Sequence, residues 1–220
     1  MKETIAPVGF ALDFDGTITF FDTLQVLLER YGDPEWRRYD DAVELGELPE
    51  SDSITLQMNT LRISFETAIA EVAREIPLRD GVLDFFQACN LRGYPCCIVS
   101  GGYREIIAAF ADRYRWDIAA FANVFEGYTA DGGWTISNPH PRRDGCHYSQ
   151  CKCRAVDELR SRAHRVVYIG DGITDYCAAC ICDDVFVVAE QPLARMLARD
   201  GKPFHSFHSF QEILNGAYFT

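Results

Sequence analysis

The hydrophobic pattern divides the chain into alternating predicted strands and helices. Short apolar runs predict four buried strands, at 8–12, 96–99, 166–169 and 185–188. Apolar residues at helical spacing predict two amphipathic helices, one carrying Val82, Phe85, Phe86 and Cys89 and the other Ile106, Ile107, Phe110 and Tyr114. The segment 124–137, with its Asp-Gly-Gly sequence, predicts a hairpin. Strands that alternate with helices indicate an α/β fold with a parallel sheet and helices on both faces.

The segment 20–77 has a different pattern, with helical spacing and no strand-like run. Glycines and prolines divide it into several short helices, and Pro77 ends it. Within it, one helix face is predicted to carry Ile54, Met58, Leu61 and Phe65. We therefore expect a small all-helical cap at 20–77, inserted after the first strand of a Rossmann-like core formed by 1–19 and 78–220.

Polar residues that can carry chemistry follow three of the predicted strands. They are Asp13 with Asp15, Ser100 with Gly101, and Asp171 with Asp175. In an open parallel sheet, ligands bind beyond the carboxyl ends of the strands. If these three strands are neighbours, their loops converge on one crevice.

Each loop fits a role in phosphate chemistry and also has a simpler explanation. Of the two carboxylates in Asp13-Phe14-Asp15-Gly16-Thr17, one can act as nucleophile and the other can transfer a proton, although acidic turns after strands are common. Ser100 and the glycines that follow it offer a hydroxyl and backbone N–H groups at a helix start, as a phosphate site or only a turn.

The third loop, Gly-Asp-Gly-Ile-Thr-Asp, carries a pair of acids four residues apart. Asp171 would be a metal ligand at the strand end, and Asp175 would open the next helix and brace the site. The simpler explanation is a capped turn between a strand and a helix.

Charge restricts the partners of the chain. It has 21 basic and 33 acidic residues, a net charge of −12, and no basic cluster, so nucleic acid and anionic membranes are not expected partners. A phosphate among several aspartates requires cations, and Mg²⁺ and a lysine can supply them. Of the three lysines, Lys152 lies between the second and third of these loops, at the head of a predicted helix.

Cysteine usage and hydropathy suggest where the protein works. Nine cysteines without a secretory signal favour free thiols in a reducing compartment, and no apolar run is long enough for a membrane helix. We expect a cytoplasmic protein. Cys146, Cys151 and Cys153 with His147 could form a zinc site, but packing of the loop that carries Lys152 explains these thiols better.

Taken together, these motifs resemble the haloacid dehalogenase superfamily of phosphatases. Asp13-x-Asp15-Gly-Thr, Ser100-Gly101, Lys152 and Gly-Asp171-Gly-x-x-Asp175 follow the order of the four family motifs and extend over nearly the whole chain. The resemblance implies that Asp13 forms an aspartyl-phosphate and that Asp15 acts as acid and base.

The same resemblance implies the ligands of the site. Mg²⁺ would be bound by the Asp13 carboxylate, the Asp15 backbone carbonyl and Asp171. The phosphoryl group would be bound by Ser100, the Gly101 N–H, Lys152 and Thr174, the last of which stands where related phosphatases often carry Asn or Ser.

Finer details resemble the phosphoserine-phosphatase-like branch of this superfamily. Cys146-x4-Cys151-Lys152 and the alanines after Asp175 are similar to two groups, the phosphatases of 2-hydroxy-3-keto-5-methylthiopentenyl-1-phosphate in methionine salvage and the phosphocholine and phosphoethanolamine phosphatases. Asp22 stands where phosphoserine phosphatases carry a longer glutamate, which disfavours phosphoserine. The expected substrate is the methionine-salvage ester, and the alternative is a phosphocholine, phosphoethanolamine or phosphoserine phosphatase. A non-catalytic binder of phosphorylated metabolites is an alternative of another class.

Aromatic residues of the predicted cap are candidates for substrate specificity. Tyr31, Trp36 and Tyr39 could face the crevice beside Asp22, although packing within a small helical insert is the more common role. An aromatic lining would suit a thioether or a quaternary ammonium group. The sequence leaves the particular ester and the oligomeric state open.

Overall fold

A seven-stranded sheet forms the centre of the fold. The structure, a computed structural model, describes residues 5–140, 143–146 and 148–220. The strands are β1 Ala6–Leu12, β2 Cys96–Tyr103, β3 Ala119–Tyr128, β4 Trp134–Ser137, β5 Ala163–Gly170, β6 Asp184–Val188 and β7 His205–Phe207. Their order is β4-β3-β2-β1-β5-β6-β7, and all neighbours are parallel except β3 and β4. The predicted α/β fold with a mostly parallel sheet is confirmed.

Ten α-helices connect and cover these strands in the described part of the chain. They are α1 Thr23–Tyr31, α2 Trp36–Glu44, α3 Glu50–Met58, α4 Phe65–Glu75, α5 Val82–Arg92, α6 Arg104–Tyr114, α7 Lys152–Arg160, α8 Tyr176–Ile181, α9 Pro192–Arg199 and α10 Phe210–Leu214. None of the helices among the described residues has the length and apolar character needed to cross a membrane.

The first strand is the centre of the sheet because both of its faces are apolar. Phe10 and Leu12 pack into one buried cluster and Ala11 into the other, and all three are fully buried. β1 pairs with β2 on one side and with β5 on the other. The three strands predicted to carry the functional loops are therefore neighbours, as the convergence of their loops requires.

Four helices, α1 to α4, follow β1 in the segment predicted to be helical. The prediction that Ile54, Met58, Leu61 and Phe65 share one helix is wrong. α3 ends at Met58, Leu61 lies in a bridge with Gly32, and α4 begins at Phe65, where Ser64 accepts a hydrogen bond from the N–H of Thr67. All four side chains still pack in or against the same core. Their apolar character therefore reflects burial in this core, and their helix-like spacing does not come from one continuous helix.

The hairpin formed by β3 and β4 anchors this helical segment. The Phe65 ring stacks on Phe125 with centroids 3.9 Å apart, and Trp134 Nε1 donates to the Ile63 carbonyl at 2.9 Å. The Tyr128 hydroxyl accepts the Phe65 N–H at 2.8 Å. The hairpin was predicted, and these contacts hold the helices against it. That 20–77 acts as a separate cap domain stays a prediction.

Candidate active site

The carboxyl end of β1 places Asp13 in a buried position. The side chain of Asp13 is 8% exposed, and its Oδ1 accepts the N–H of Phe14 at 2.8 Å. Lys152 Nζ lies 2.7 Å from the same oxygen. Burial and the nearby Asp175 carboxylate raise the pKa of Asp13 well above its usual value, against the opposing effect of Lys152.

Lys152 begins α7 and connects two carboxylates. Its side chain is 3% exposed, and Nζ also lies 2.5 Å from Asp175 Oδ1. Burial opposes the charged form, but Asp13 and Asp175 raise the pKa of Lys152, so the ammonium form persists. One buried ammonium group is thus shared between two strand ends, those of β1 and β5.

Asp175 has all its oxygens occupied by donors. Oδ1 accepts from Lys152 and from the Tyr168 hydroxyl, the latter at 2.6 Å, and Oδ2 accepts the N–H groups of Asp171 and Gly172 at 2.9 and 2.8 Å. The side chain is fully buried. This carboxylate therefore braces both Lys152 and the loop that carries Asp171.

Asp171 lies close to the loop after β1. Its Oδ1 accepts the Thr17 hydroxyl at 2.7 Å. Gly16 has φ +74°, and a Cβ there would lie 2.5 Å from Asp171 Oδ2, so only glycine allows this approach. Burial and the charge of Asp175 raise the pKa of Asp171 to about 6.

Asp15 is held from both sides of the crevice. Thr23, at the start of α1, donates its N–H and its hydroxyl to Oδ1 at 2.9 and 2.6 Å, and Ser100 Oγ donates to Oδ2 at 3.1 Å. Burial raises the pKa of Asp15, and the Thr23 and Ser100 hydrogen bonds partly offset this increase. The carboxylate is therefore oriented and biased toward binding a proton.

Ser100 and Gly101 lie in a strand, which corrects one prediction. β2 continues through them to Tyr103, and α6 begins only at Arg104, so these N–H groups are not at a helix start. The pairing of β2 with β3 shifts between Val99 and Tyr103, and this irregularity covers the predicted phosphate-binding residues. Ser100 is buried, with 1% exposure.

A cavity of about 290 Å³ lies next to these loops, between α1, α2 and α3. Asp22, Trp36, Glu50 and Thr174 line it together with Leu24, Gln25, Leu28, Asp40, Val43, Ser53, Ile54 and Gln57. Of the candidate specificity residues, Asp22 and Trp36 are in this lining, whereas Tyr31 and Tyr39 are not. The Tyr31 hydroxyl donates to Glu71, at 2.6 Å.

The surface of the Asp22 residue is accessible to solvent, although many protein atoms lie around its carboxylate. Its side chain accepts the Gln25 N–H and caps α1. Desolvation by the surrounding protein and the charge of Asp15 raise the pKa of Asp22 to about 7. The group thus changes its charge near neutral pH.

The donor atoms of the site fit a hard divalent cation. Asp13, Asp171 and Asp175 each offer a carboxylate oxygen, and these oxygens lie within 4.8 Å of one another. Because Asp175 already accepts four hydrogen bonds, Asp13 and Asp171 are the side chains best placed to bind Mg²⁺. The carboxylates of Asp13, Asp15 and Asp171 also outnumber the single ammonium of Lys152, which favours a cation here.

The cysteines near Lys152 pack rather than pair. All nine cysteines of the chain are free thiols, and Cys151 and Cys153 are buried in an apolar cluster. Cys151 Sγ accepts the N–H of Arg143 at 3.4 Å. His147, the fourth group of the possible zinc site, lies outside the described residues.

Sequence reasoning missed several side chains that position the site. Thr17 and Thr23 bind Asp171 and Asp15, and Arg79 Nε donates to the Thr17 carbonyl at 2.9 Å. Thr17 is part of the Asp-x-Asp-Gly-Thr motif and could have been found. Tyr168 and Arg79 carry no local signal, because their partners are distant in the sequence.

Comparison with known proteins shows which family and which folds the chain resembles. The family model of haloacid dehalogenase-like hydrolases matches residues 10–179. A 2-hydroxy-3-keto-5-methylthiopentenyl-1-phosphate phosphatase of Brevibacillus brevis is 26% identical over 92% of this chain and 91% of its own. A polyol phosphate phosphatase of Saccharomyces cerevisiae is 27% identical over 92% of this chain and 89% of its own. A substrate-bound phosphoserine phosphatase has a similar fold, with TM-score 0.74, 18% identity and coverage of 99% and 100% of the two chains.

Fold and site together define an α/β enzyme whose acidic centre lies at the carboxyl ends of the neighbouring parallel strands β1 and β5, with Ser100 of β2 beside it. The chain belongs to the haloacid dehalogenase-like hydrolases, since the family model covers well over half of it. The predicted superfamily and the predicted hydrolase are thereby confirmed.

Proposed function

We propose that this protein is a Mg²⁺-dependent phosphomonoesterase that works through an aspartyl-phosphate on Asp13. The observation that carries the proposal is the buried ammonium group of Lys152, shared by Asp13 at the end of β1 and Asp175 after β5. A cation held in this position neutralises the nucleophile and its incoming phosphoryl group, which is the main requirement of phosphoryl transfer.

In the proposed reaction, Asp13 attacks the phosphorus atom and the ester oxygen leaves. Asp15 gives the leaving oxygen its proton, and then takes a proton from the water that attacks the phosphorus of the aspartyl-phosphate. The Thr23 and Ser100 hydrogen bonds orient the Asp15 carboxylate for both steps. Ser100, the Gly101 N–H, Lys152 and Thr174 are the proposed phosphate ligands.

Magnesium would be bound by the Asp13 and Asp171 carboxylates and by the Asp15 backbone carbonyl. When bound, it supplies positive charge that offsets the charge of the transferring phosphoryl group. The donor set is made of oxygen atoms, as this ion prefers. Asp175 keeps Lys152 and the Asp171 loop in place for it.

For the substrate, we propose 2-hydroxy-3-keto-5-methylthiopentenyl-1-phosphate of methionine salvage. The names of the relatives that align over nearly the whole chain support this choice. The apolar part of the cavity, with Leu24, Leu28, Val43 and Ile54 beside Trp36, can accept a thioether chain. A cavity of about 290 Å³ suits a small phosphorylated metabolite.

Phosphocholine or phosphoethanolamine is the second candidate, supported by a different part of the same cavity. Asp22 and Asp40 line it with Trp36, and none of the described residues of this lining is a lysine or an arginine. Carboxylates and an indole ring are the groups that bind an ammonium ion. The same lining disfavours phosphoserine, whose carboxylate would meet acidic residues.

Phosphate release from a panel of these esters, measured with Mg²⁺ and with EDTA, tests both the proposed Mg²⁺-dependent chemistry and the proposed substrate. A preference of about 100-fold in kcat/KM, worth about 2.7 kcal/mol, would identify the substrate. Equal and weak hydrolysis of all esters would support the chemistry and contradict the substrate assignment. A protein that releases no phosphate from any ester would instead be a binding protein.

The covalent step is tested by quenching the reaction and measuring protein-bound phosphate. With p-nitrophenyl phosphate, whose leaving group departs without a proton, Asp15→Asn should accumulate phosphoenzyme because the second step lacks its base. Asp13→Asn should form none. The control is Asp131→Asn, at an exposed hairpin position, which should behave like the wild type. Turnover by Asp13→Asn at the wild-type rate would refute the proposed nucleophile.

A further inference from the structure

Asn123, on β3, is fully buried beside the phosphate-binding residues and belongs to none of the motifs. Its Nδ2 donates to the carbonyl oxygen of Gly101 at 2.7 Å. Its Oδ1 is buried and has no hydrogen-bond partner among the residues that the structure describes. A buried amide that satisfies only part of its hydrogen bonding is costly for stability, so its presence calls for another reason.

The bond from Asn123 fixes the peptide unit between Gly101 and Gly102. The carbonyl of this unit accepts from Asn123, and its N–H donates to Ser100 Oγ at 2.9 Å. Because a peptide unit is planar, holding the carbonyl also sets the direction of the N–H. The N–H in turn occupies a lone pair of the Ser100 oxygen, so the hydroxyl hydrogen must point elsewhere.

The Ser100 hydroxyl points to the proposed acid and base. Ser100 Oγ donates to Asp15 Oδ2 at 3.1 Å. The space around this contact is tight, since a Cβ on Gly102 would lie 2.9 Å from Asp15 Oδ2 and 3.2 Å from Ser100 Oγ. An uninterrupted series of hydrogen bonds therefore joins Asn123, the Gly101–Gly102 peptide, Ser100 and Asp15.

We infer that Asn123 is a positioning residue for catalysis, which acts through the Gly101–Gly102 peptide on the Ser100 hydroxyl. It keeps this hydroxyl as a donor toward the crevice, where it serves Asp15 in the free enzyme and the phosphoryl group in the complex. The inference rests on the proposed function, because it assigns Asn123 a part in the same reaction.

The test is a double-mutant cycle with Ser100, using p-nitrophenyl phosphate and Mg²⁺. Asn123→Leu should lower kcat by about 30-fold with little change in KM, because the lost orientation acts in the transition state. In the Ser100→Ala background the same substitution should cost less than about 3-fold, since its effect passes through the missing hydroxyl. Equal losses in both backgrounds would overturn the inference.

Stability separates positioning from a merely structural role. Asn123→Leu removes the unpaired Oδ1, which stabilises, and the hydrogen bond to the Gly101 carbonyl, which destabilises. Because these two effects oppose each other, the unfolding midpoint should stay within about 4 °C of the wild type. If the larger side chain prevents folding, Asn123→Ser, which is too short to reach the carbonyl, should show the same loss of kcat.

A matched control removes a similar bond elsewhere. Thr135 Oγ1 donates to the Gly127 carbonyl at 2.9 Å in the hairpin, so Thr135→Val should leave kcat unchanged. Wild-type kcat in folded Asn123→Leu or Asn123→Ser would refute the inference and leave the proposed function intact. A wild-type protein without phosphatase activity would instead refute the proposed function.

Discussion

Replacing Lys152 by methionine removes the ammonium group between Asp13 and Asp175 while keeping most of the side-chain volume. In the wild type, Nζ lies 2.7 Å from one carboxylate and 2.5 Å from the other, and the exposed fractions of these side chains are 3%, 8% and 0%. The substitution leaves two buried carboxylates without their shared cation. Loss of one partner from a buried ion pair costs about 3–5 kcal/mol, and here we expect the upper end of this range.

The assay is urea unfolding followed by circular dichroism, in EDTA so that no divalent cation replaces the lost charge. The free energy of unfolding of Lys152→Met should fall by about 4–5 kcal/mol, and kcat should fall at least about 100-fold. Lys202→Met is the matched control, because Lys202 is exposed and should tolerate the change within about 0.5 kcal/mol. Equal stability of the two variants would refute the reasoning that Lys152 compensates these carboxylates.

Two further predictions concern the loops around this centre. Gly16→Ala should abolish most activity and lower stability by more than about 2 kcal/mol, because φ is +74° and the new Cβ would meet the Asp171 carboxylate at 2.5 Å. Asp22→Asn keeps the helix cap but removes a carboxylate whose pKa is raised from 3.8 to about 7. Between pH 4 and pH 7 the unfolded wild type releases the Asp22 proton while the folded state keeps it, so the wild type loses stability over this range. The unfolding midpoint of Asp22→Asn should therefore exceed that of the wild type by an amount that grows from pH 4 to pH 7 and is constant above.

Controls for these predictions come from the same chain. Gly46 has φ +73° and open space around it, so Gly46→Ala should cost about 1 kcal/mol and keep full activity. If Gly16→Ala behaves like Gly46→Ala, crowding at Asp171 has no part in the effect. A midpoint difference between Asp22→Asn and the wild type that does not change with pH would contradict the raised pKa.

Local hydrophobic patterns were sufficient to predict the strands and helices whose apolar residues face the core at regular spacing. The apolar strand before Asp13 and the apolar stripe of α5 were predicted close to where they lie. The hairpin was also predicted, but from Val124 onward, without the part of β3 that precedes it. β7 was missed, because it has three residues and two of them are exposed. The segment from Ile54 to Phe65 was misinterpreted as one helix. The chain leaves the helix at Asn59, and the apolar residues on the two sides of this break are apolar because they pack into the same core.

The amino-acid sequence by itself determined the kind of chemistry. The acidic pairs at Asp13 and Asp171 and the rare Lys152 are local features, and their types and order already indicate phosphate and Mg²⁺. Short-range motifs can do this because a strand end places its loop at a known edge of the sheet.

Only the tertiary structure decided how these groups act on one another. Lys152 meets Asp13 from 139 positions away in the chain, Tyr168 braces Asp175, and Asn123 reaches Gly101 from the next strand. These contacts depend on strand order and on exact register, which no local pattern encodes. The same is true of the charge balance, because burial and neighbouring carboxylates, rather than residue type, set the protonation of each group.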